Sequence, residues 1–81
     1  MLKKISSSRA SAPGARIAIV ASRYNARYVD AMVRAAKAMI TKAGADVRIV
    51  RVPGAFEIPV VVAELARAAK PPMAIVCLGV I

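Results

Sequence analysis

The chain has 81 residues, which suffices for one small domain or part of one. It is 59% hydrophobic, but its apolar blocks are short, and a membrane-spanning helix requires roughly 18 to 20 consecutive apolar residues. The formal net charge is +9, from 13 lysines and arginines against 4 acidic residues, and this excess raises the question of nucleic-acid binding.

The distribution of the cations argues against nucleic acid as the main partner. Apart from Lys3 and Lys4 they are dispersed singly, and an aromatic content of 4% leaves few rings on which bases can stack. Anionic small ligands or an acidic partner suit the charge equally well. A basic nucleic-acid-binding protein is therefore kept only as the third hypothesis, and no membrane partner is expected.

The cysteine content and the N-terminal residues indicate the cellular compartment. Cys77 is the only cysteine and lies in the apolar run MAIVCLG, where we expect it to pack as a small hydrophobe in a reducing cytoplasm. Residues 1–15 are basic and Ser-rich, without the apolar block of a secretory signal. They are predicted to form a flexible tail before a domain at 16–81, with an organelle transit peptide as the weaker alternative.

Hydrophobic periodicity predicts alternating strands and helices. Three β-branched blocks, at 16–21, 47–52 and 73–78, are typical of strands. Between the first two, apolar residues recur at helical spacing from Val29 to Ala43, with Asn25 as a candidate N-cap and Gly44 at the expected left-handed end. A second helical pattern runs from Ile58 to Ala69, with Pro59 in its first turn.

The element order is β-α-β-α-β, which predicts an α/β fold with parallel strands joined by right-handed crossovers. The first and third strands are almost wholly apolar, as expected of strands covered on both faces, whereas Arg48 and Arg51 suit an edge strand. The predicted strand order is therefore 2-1-3, as at the start of a flavodoxin-like sheet.

Ligands of open parallel sheets bind at the carboxyl ends of the strands, where three segments of this chain must meet: 22–25, 53–57 and 79–81. The first segment contains neither a dinucleotide-binding nor a nucleoside-triphosphate-binding glycine motif. It offers Tyr24, which can stack a flat heterocycle, beside the amide of Asn25. The alternative that Tyr24 only covers a helix end is favoured when the residue is considered alone.

The second segment allows a similar pair of interpretations. Gly54 permits close approach of a ligand to N–H groups at a helix start. Glu57, in the first helical turn, can contact a ligand or serve only as a capping and dipole partner, and the capping role is at least as well supported. Phe56 considered alone favours a core position.

The runs RIAIVASRYN, RVPGAFEIP and AIVCLGVI, in this order and spacing, are similar to the first part of lumazine synthases. The resemblance spans nearly everything from Arg16 onward. It implies a three-layer flavodoxin-like parallel sheet, of which this chain would be a truncated β-α-β-α-β portion. It further implies a riboflavin-pathway enzyme that condenses 5-amino-6-(D-ribitylamino)uracil with 3,4-dihydroxy-2-butanone 4-phosphate and uses no metal or redox cofactor.

The resemblance also assigns substrate-binding residues. Tyr24 takes the place of an aromatic residue, more often Phe or Trp, that stacks on the pyrimidine, and Asn25 supports that site. Residues Ala55, Phe56 and Glu57 match the part that receives the ribityl chain. Val80 and Ile81 match the start of a segment that lines the uracil pocket.

The resemblance places the family's catalytic histidine in an R-G-x-T-x-H segment that would follow Ile81. This sequence has no histidine, so no catalytic residue is assigned, and we expect the chain alone to be inactive. The family forms pentamers or icosahedral shells, which implies a homo-oligomer for the full-length form, and the third strand would expose an apolar edge. The second hypothesis is a non-catalytic descendant that retains ligand binding or an assembly surface.

Overall fold

The computed structural model describes residues 13–80. Most of the predicted N-terminal tail, residues 1–12, lies outside the described residues, as does Ile81, so the predicted tail boundary is not tested. The described part contains strands β1 (Arg16–Ser22), β2 (Asp46–Val52) and β3 (Ala74–Leu78), helices α1 (Ala26–Lys42) and α2 (Ile58–Ala66), and a short 3-10 helix (Ala55–Glu57) before α2.

The three strands form one parallel sheet in the order β2-β1-β3, which confirms the predicted fold class and strand order. Ile19 in the central strand pairs with Ile49 of β2 and with Val76 of β3. β2 and β3 each have one neighbouring strand in the described sheet, as the predicted order 2-1-3 requires. The order follows from two crossovers that leave β1 in the middle.

The core lies on both faces of β1, as its apolar sequence predicted. Ile19 and Ala21 pack with Val29 and Val33 of α1, and all four are buried. Because successive strand residues point to opposite faces, the buried Val20 faces the other side of the sheet, where α2 contacts β1. The helices thus cover opposite faces of the central strand.

Two apolar residues predicted to be covered, in β3 and in α1, are instead exposed. Cys77 in β3 is exposed rather than packed, and β3 as a whole is only half-buried. Met39, on the predicted apolar face of α1, is 67% exposed. The expectation that β3 is covered on both faces was therefore wrong for the described chain, because α1 packs mainly over β1 and β2, α2 packs over β1, and β3 is left without a full layer.

The helix ends agree in part with prediction. Gly44 has a φ of 87°, the left-handed conformation expected after α1, and its N–H donates to the Thr41 carbonyl at 3.0 Å. Pro59 lies in the first turn of α2. This helix ends at Ala66, earlier than the periodicity predicted, and residues 67–70 form a turn and bend before the Pro71-Pro72 pair.

Candidate functional site

The first two loops meet at the carboxyl edge of the sheet through backbone hydrogen bonds. The N–H of Arg23 donates to the Val52 carbonyl at 2.7 Å, and the N–H of Tyr24 donates to the Pro53 carbonyl at 3.1 Å. These bonds extend the pairing of β1 with β2 beyond the strands themselves. The position of Tyr24 relative to the 53–57 loop is therefore set by the main chain.

The third loop packs directly against the second. A Cβ atom added to Gly79 would lie 3.1 Å from Cβ of Ala55 and 3.3 Å from Cδ1 of Ile58. Glycine at position 79 therefore allows the chain leaving β3 to approach the 3-10 helix more closely than any other residue would. The predicted convergence of segments 22–25, 53–57 and 79–81 is confirmed for residues up to 80.

The side chains of the first loop are open to solvent. Tyr24 is 59% exposed, so most of its ring is available to a ligand at this edge. Asn25 precedes α1, as predicted, but its side chain makes no capping hydrogen bond. Instead its carbonyl accepts the N–H groups of Tyr28 and Val29 at 3.0 and 3.1 Å. The Asn25 amide is thus not required to begin the helix.

The backbone of Asn25 provides a test that separates conformation from side-chain chemistry. Its φ of 57° and ψ of 48° are left-handed, which asparagine and glycine adopt more easily than other residues. We expect Asn25→Ala to lower the free energy of unfolding by about 1–2 kcal/mol, whereas Asn25→Gly should change it far less. Urea unfolding followed by circular dichroism measures both; equal losses would contradict a conformational requirement.

The residues of the second loop occupy different environments. Ala55 is half-buried against Gly79, whereas Phe56 is 81% exposed. The expectation that Phe56 belongs to the core was therefore wrong, because the 3-10 helix carries its ring away from the sheet. The Glu57 carboxylate accepts the Gly54 N–H through Oε1 at 2.7 Å, so the predicted capping interaction is present. Within residues 13–80 its second oxygen makes no side-chain hydrogen bond.

Val80 follows Gly79 and is half-buried against the cluster formed by α1 and β1. The remaining predicted site residue, Ile81, lies outside the described residues. The structure thus brings the predicted residues of the first two loops to one edge of the sheet and places Val80 at the same edge, beside the core. The residues from those loops are Tyr24, Asn25, Ala55, the exposed Phe56 and Glu57.

Arg51, which the sequence predicted only to mark an edge strand, connects β2 with the end of β1 and with α1. Nη2 of Arg51, in β2, donates to the Ser22 carbonyl at 3.0 Å and to Oδ1 of Asp30, in α1, at 2.7 Å. Arg51 and Asp30 retain 27% and 44% side-chain exposure, so the pair contributes modestly, at most about 1 kcal/mol. Its effect is to fix the end of β1, from which the Tyr24 loop leaves.

Within residues 13–80 no cluster of three or more metal-ligating side chains occurs, and no described helix is long and apolar enough to cross a membrane. The organisation is that of a flavodoxin-like α/β protein, with a parallel sheet whose loops converge at the carboxyl ends of the strands.

Comparison with known proteins identifies the family within this class. The family model of 6,7-dimethyl-8-ribityllumazine synthase matches residues 14–81. The chain belongs to the 6,7-dimethyl-8-ribityllumazine synthase family, as the three sequence runs predicted.

Individual relatives show how much of the family's length is represented. The 6,7-dimethyl-8-ribityllumazine synthase of Kineococcus radiotolerans is 45% identical over 69 residues, 84% of this chain and 42% of the relative. That of Stenotrophomonas maltophilia strain K279a is 47% identical, over 80% of the chain and 43% of the relative. The Aquifex aeolicus protein is 49% identical, over 69% of the chain and 38% of the relative. The chain therefore spans about two-fifths of the length of these relatives.

Proposed function

We propose that this chain forms the aminouracil- and ribityl-binding part of a riboflavin-biosynthesis transferase. The reaction condenses 5-amino-6-(D-ribitylamino)uracil with 3,4-dihydroxy-2-butanone 4-phosphate to give 6,7-dimethyl-8-ribityllumazine, with loss of phosphate and water. The observation that carries the proposal is the meeting of three loops beside the exposed Tyr24 ring, in a chain of this family.

The first loop supplies the surface for the heterocycle. A pyrimidine ring stacks on the exposed face of Tyr24, and the Asn25 amide, unused by the helix, bonds to its polar edge. Val80 and Ile81 line the same pocket from the end of β3. Tyrosine serves here as well as phenylalanine or tryptophan, because stacking requires only a flat aromatic face.

The second loop receives the ribityl chain. Its hydroxyl groups bond to backbone groups of residues 55–57 and to the Glu57 carboxylate, whose Oε1 is occupied by Gly54 while its other oxygen has no such partner within residues 13–80. The bond to Gly54 holds the carboxylate in place before substrate arrives. Capping and ligand binding are thus compatible roles for one side chain.

Catalysis in this proposal depends mainly on holding two substrates in contact. Correct orientation can contribute roughly 7–11 kcal/mol in favourable cases, and acid–base groups add less. The sequence contains no histidine, so residues outside it provide the proton transfers and the chain alone is inactive. The full-length protein requires no metal or redox cofactor, assembles as a homo-oligomer of pentameric or larger form, and acts in the cytoplasm.

A chimera makes these proposals measurable. Residues 1–81 are followed by the segment of the Aquifex aeolicus relative that lies beyond its region of similarity. The ligand is 6-(D-ribitylamino)uracil, which lacks the reactive 5-amino group and therefore binds without turnover. Calorimetry gives its dissociation constant for each variant.

Glu57 distinguishes ligand binding from capping. Glu57→Gln keeps an oxygen that accepts the Gly54 N–H, so the free energy of unfolding should fall by less than about 0.5 kcal/mol. Because the substitution removes a charged acceptor, it should weaken 6-(D-ribitylamino)uracil binding about tenfold. Glu57→Ala should lower both stability and affinity. Exposed Glu64 on α2 provides the matched control, and Glu64→Gln should alter neither. Unchanged affinity in Glu57→Gln would restrict Glu57 to capping.

A further inference from the structure

A cavity of about 200 Å³ lies at the opposite edge of the sheet, among the amino ends of β1 and β2 and the segment that follows α2. Its lining includes Arg16, Arg48 and Lys70, but none of the loop residues 22–25, 53–57 or 79–80. Ligands of parallel sheets ordinarily bind at the carboxyl ends of the strands. This cavity is therefore separate from the proposed substrate site and does not depend on it.

The strand register concentrates positive charge on one face of the sheet at this cavity. Arg16 pairs with Asp46, and two residues further Ala18 pairs with Arg48. Because side chains alternate along a strand, Arg16 and Arg48 project from the same face. Lys70 adds a third cation from the segment after α2, against the single carboxylate of Asp46.

These cations are not neutralised by ion pairs within residues 13–80, where the one salt bridge joins Arg51 to Asp30. Arg16 is held in position: its Nη2 donates to the Pro71 carbonyl at 3.0 Å, and its own carbonyl accepts the Met73 N–H at 2.7 Å. The same two bonds hold the 71–73 segment against the start of β1. The cavity therefore has a defined wall as well as a charged rim.

The remaining lining is mostly apolar: Ala18, Leu65 and Pro72 lie on the cavity side, while Ile17 and Val47 border it from strand positions whose side chains point to the other face of the sheet. A bare inorganic anion would leave this apolar surface in contact with water, and a neutral apolar molecule would leave the cations without a counter-charge. The residues before Pro13 include three cations and no carboxylate side chain, so they do not supply the complementary charge.

We propose that this cavity binds a small carboxylate with an apolar body, whose charged group contacts Arg48 and Lys70 and whose body covers Leu65 and Pro72. The binding energy comes from two parts, apolar burial in the cavity and attraction between the carboxylate and the cationic rim. Each part is removed separately by the choice of probe.

The experiment titrates the 81-residue chain with hexanoate and follows backbone amide shifts by two-dimensional NMR. Hexanoate should shift residues 16–18, 46–48 and 65–70, with a dissociation constant on the order of 1 mM for so small a ligand. Hexanamide, which has a similar body without the charge, and acetate, which has the charge without the body, should both bind at least fivefold more weakly.

Variants then test the cationic rim. Arg48→Gln and Lys70→Gln should each weaken hexanoate binding about two- to fivefold, since both cations are exposed. Arg67→Gln changes the net charge equally at an exposed position that does not line the cavity, and should leave binding unchanged.

The proposal is overturned if hexanamide or acetate binds as well as hexanoate, or if the shifted amides lie at the carboxyl edge or are scattered over the surface. If Arg67→Gln weakens hexanoate binding as much as Arg48→Gln and Lys70→Gln do, the effect depends only on net charge, and the proposal is likewise overturned. If a cavity variant does not fold, the comparison of the three probes on the unaltered chain decides the matter.

Discussion

Replacing Ile19 with alanine is expected to remove about 2–5 kcal/mol of folding free energy, the range for truncating a fully buried aliphatic side chain. Ile19 has 0% exposure and packs with Val29 and Val33 of α1 at the centre of the sheet. A chain of this length is stable by only about 4–12 kcal/mol, so the loss is a large share of the total.

Ile49 is the matched control, because it is the β2 residue paired with Ile19 and retains 36% exposure. Ile49→Ala should cost less than half as much, as measured by urea unfolding. Equal costs for the two substitutions would contradict the assignment of β1 as the centre of the core. If Ile19→Ala does not fold, Ile19→Val should still lower stability by about 0.5–1.5 kcal/mol.

Replacing Tyr24 with alanine should weaken binding of 6-(D-ribitylamino)uracil to the chimera about 10- to 100-fold. Stacking of a base on an aromatic side chain contributes about 1–3 kcal/mol, and 1.4 kcal/mol corresponds to a factor of ten. Tyr24→Phe and Tyr24→Trp should bind nearly as well as the unaltered protein, because both retain a flat ring.

Tyr28 provides a control of the same residue type and the same 59% exposure, four residues further along the chain and within α1. Tyr28→Ala should leave the dissociation constant unchanged in the calorimetric titration. If the two alanine variants bind equally, the exposed ring of Tyr24 does not stack on the ligand, and the interpretation that it merely covers a helix end would stand.

Much of the architecture could be predicted from periodicity alone. The arginines at 48 and 51 correctly predicted that β2 is an edge strand, and the apolar block at 16–21 correctly predicted that β1 is covered on both faces. The similar block at 73–78 predicted the same cover for β3, which β3 lacks in the described chain. The convergence of the three loops followed from topology, since parallel strands end at a common edge.

The exposed residues could not be predicted in the same way. Three residues of apolar or weakly polar type, whose sequence neighbours are largely apolar, are exposed in the described chain: Met39, Phe56 and Cys77. A hydrophobic pattern shows which face would bury favourably, whereas actual burial requires another layer to pack against it. With α1 and α2 placed over β1, β3 has no such full cover.

Long-range polar contacts were also beyond sequence reasoning. Arg51 bonds to Asp30, 21 residues earlier, and nothing in the local pattern indicates that pairing. One signal was available: Arg48 and Arg51 are three residues apart in a strand, so they project from opposite faces. Arg48 accordingly lines the cavity near α2, while Arg51 reaches α1.

Asn25 is likewise a residue whose role the sequence predicted only in part. The residue type correctly predicted a helix start, because asparagine is common at that position. It did not distinguish a side-chain cap from a left-handed turn whose carbonyl accepts the first helical N–H groups. Because the Asn25 amide does not cap the helix, it is available to a ligand at the proposed substrate site.

The most direct test of the proposed function is formation of 6,7-dimethyl-8-ribityllumazine by the chimera from the two proposed substrates, followed by the product's absorbance. We expect product from the chimera, none from the 81-residue chain alone, and a reduced rate in the Tyr24→Ala chimera. A chimera that folds, as judged by circular dichroism, but forms no lumazine and does not bind 6-(D-ribitylamino)uracil would contradict the proposal that residues 22–25 and 53–57 carry substrate recognition.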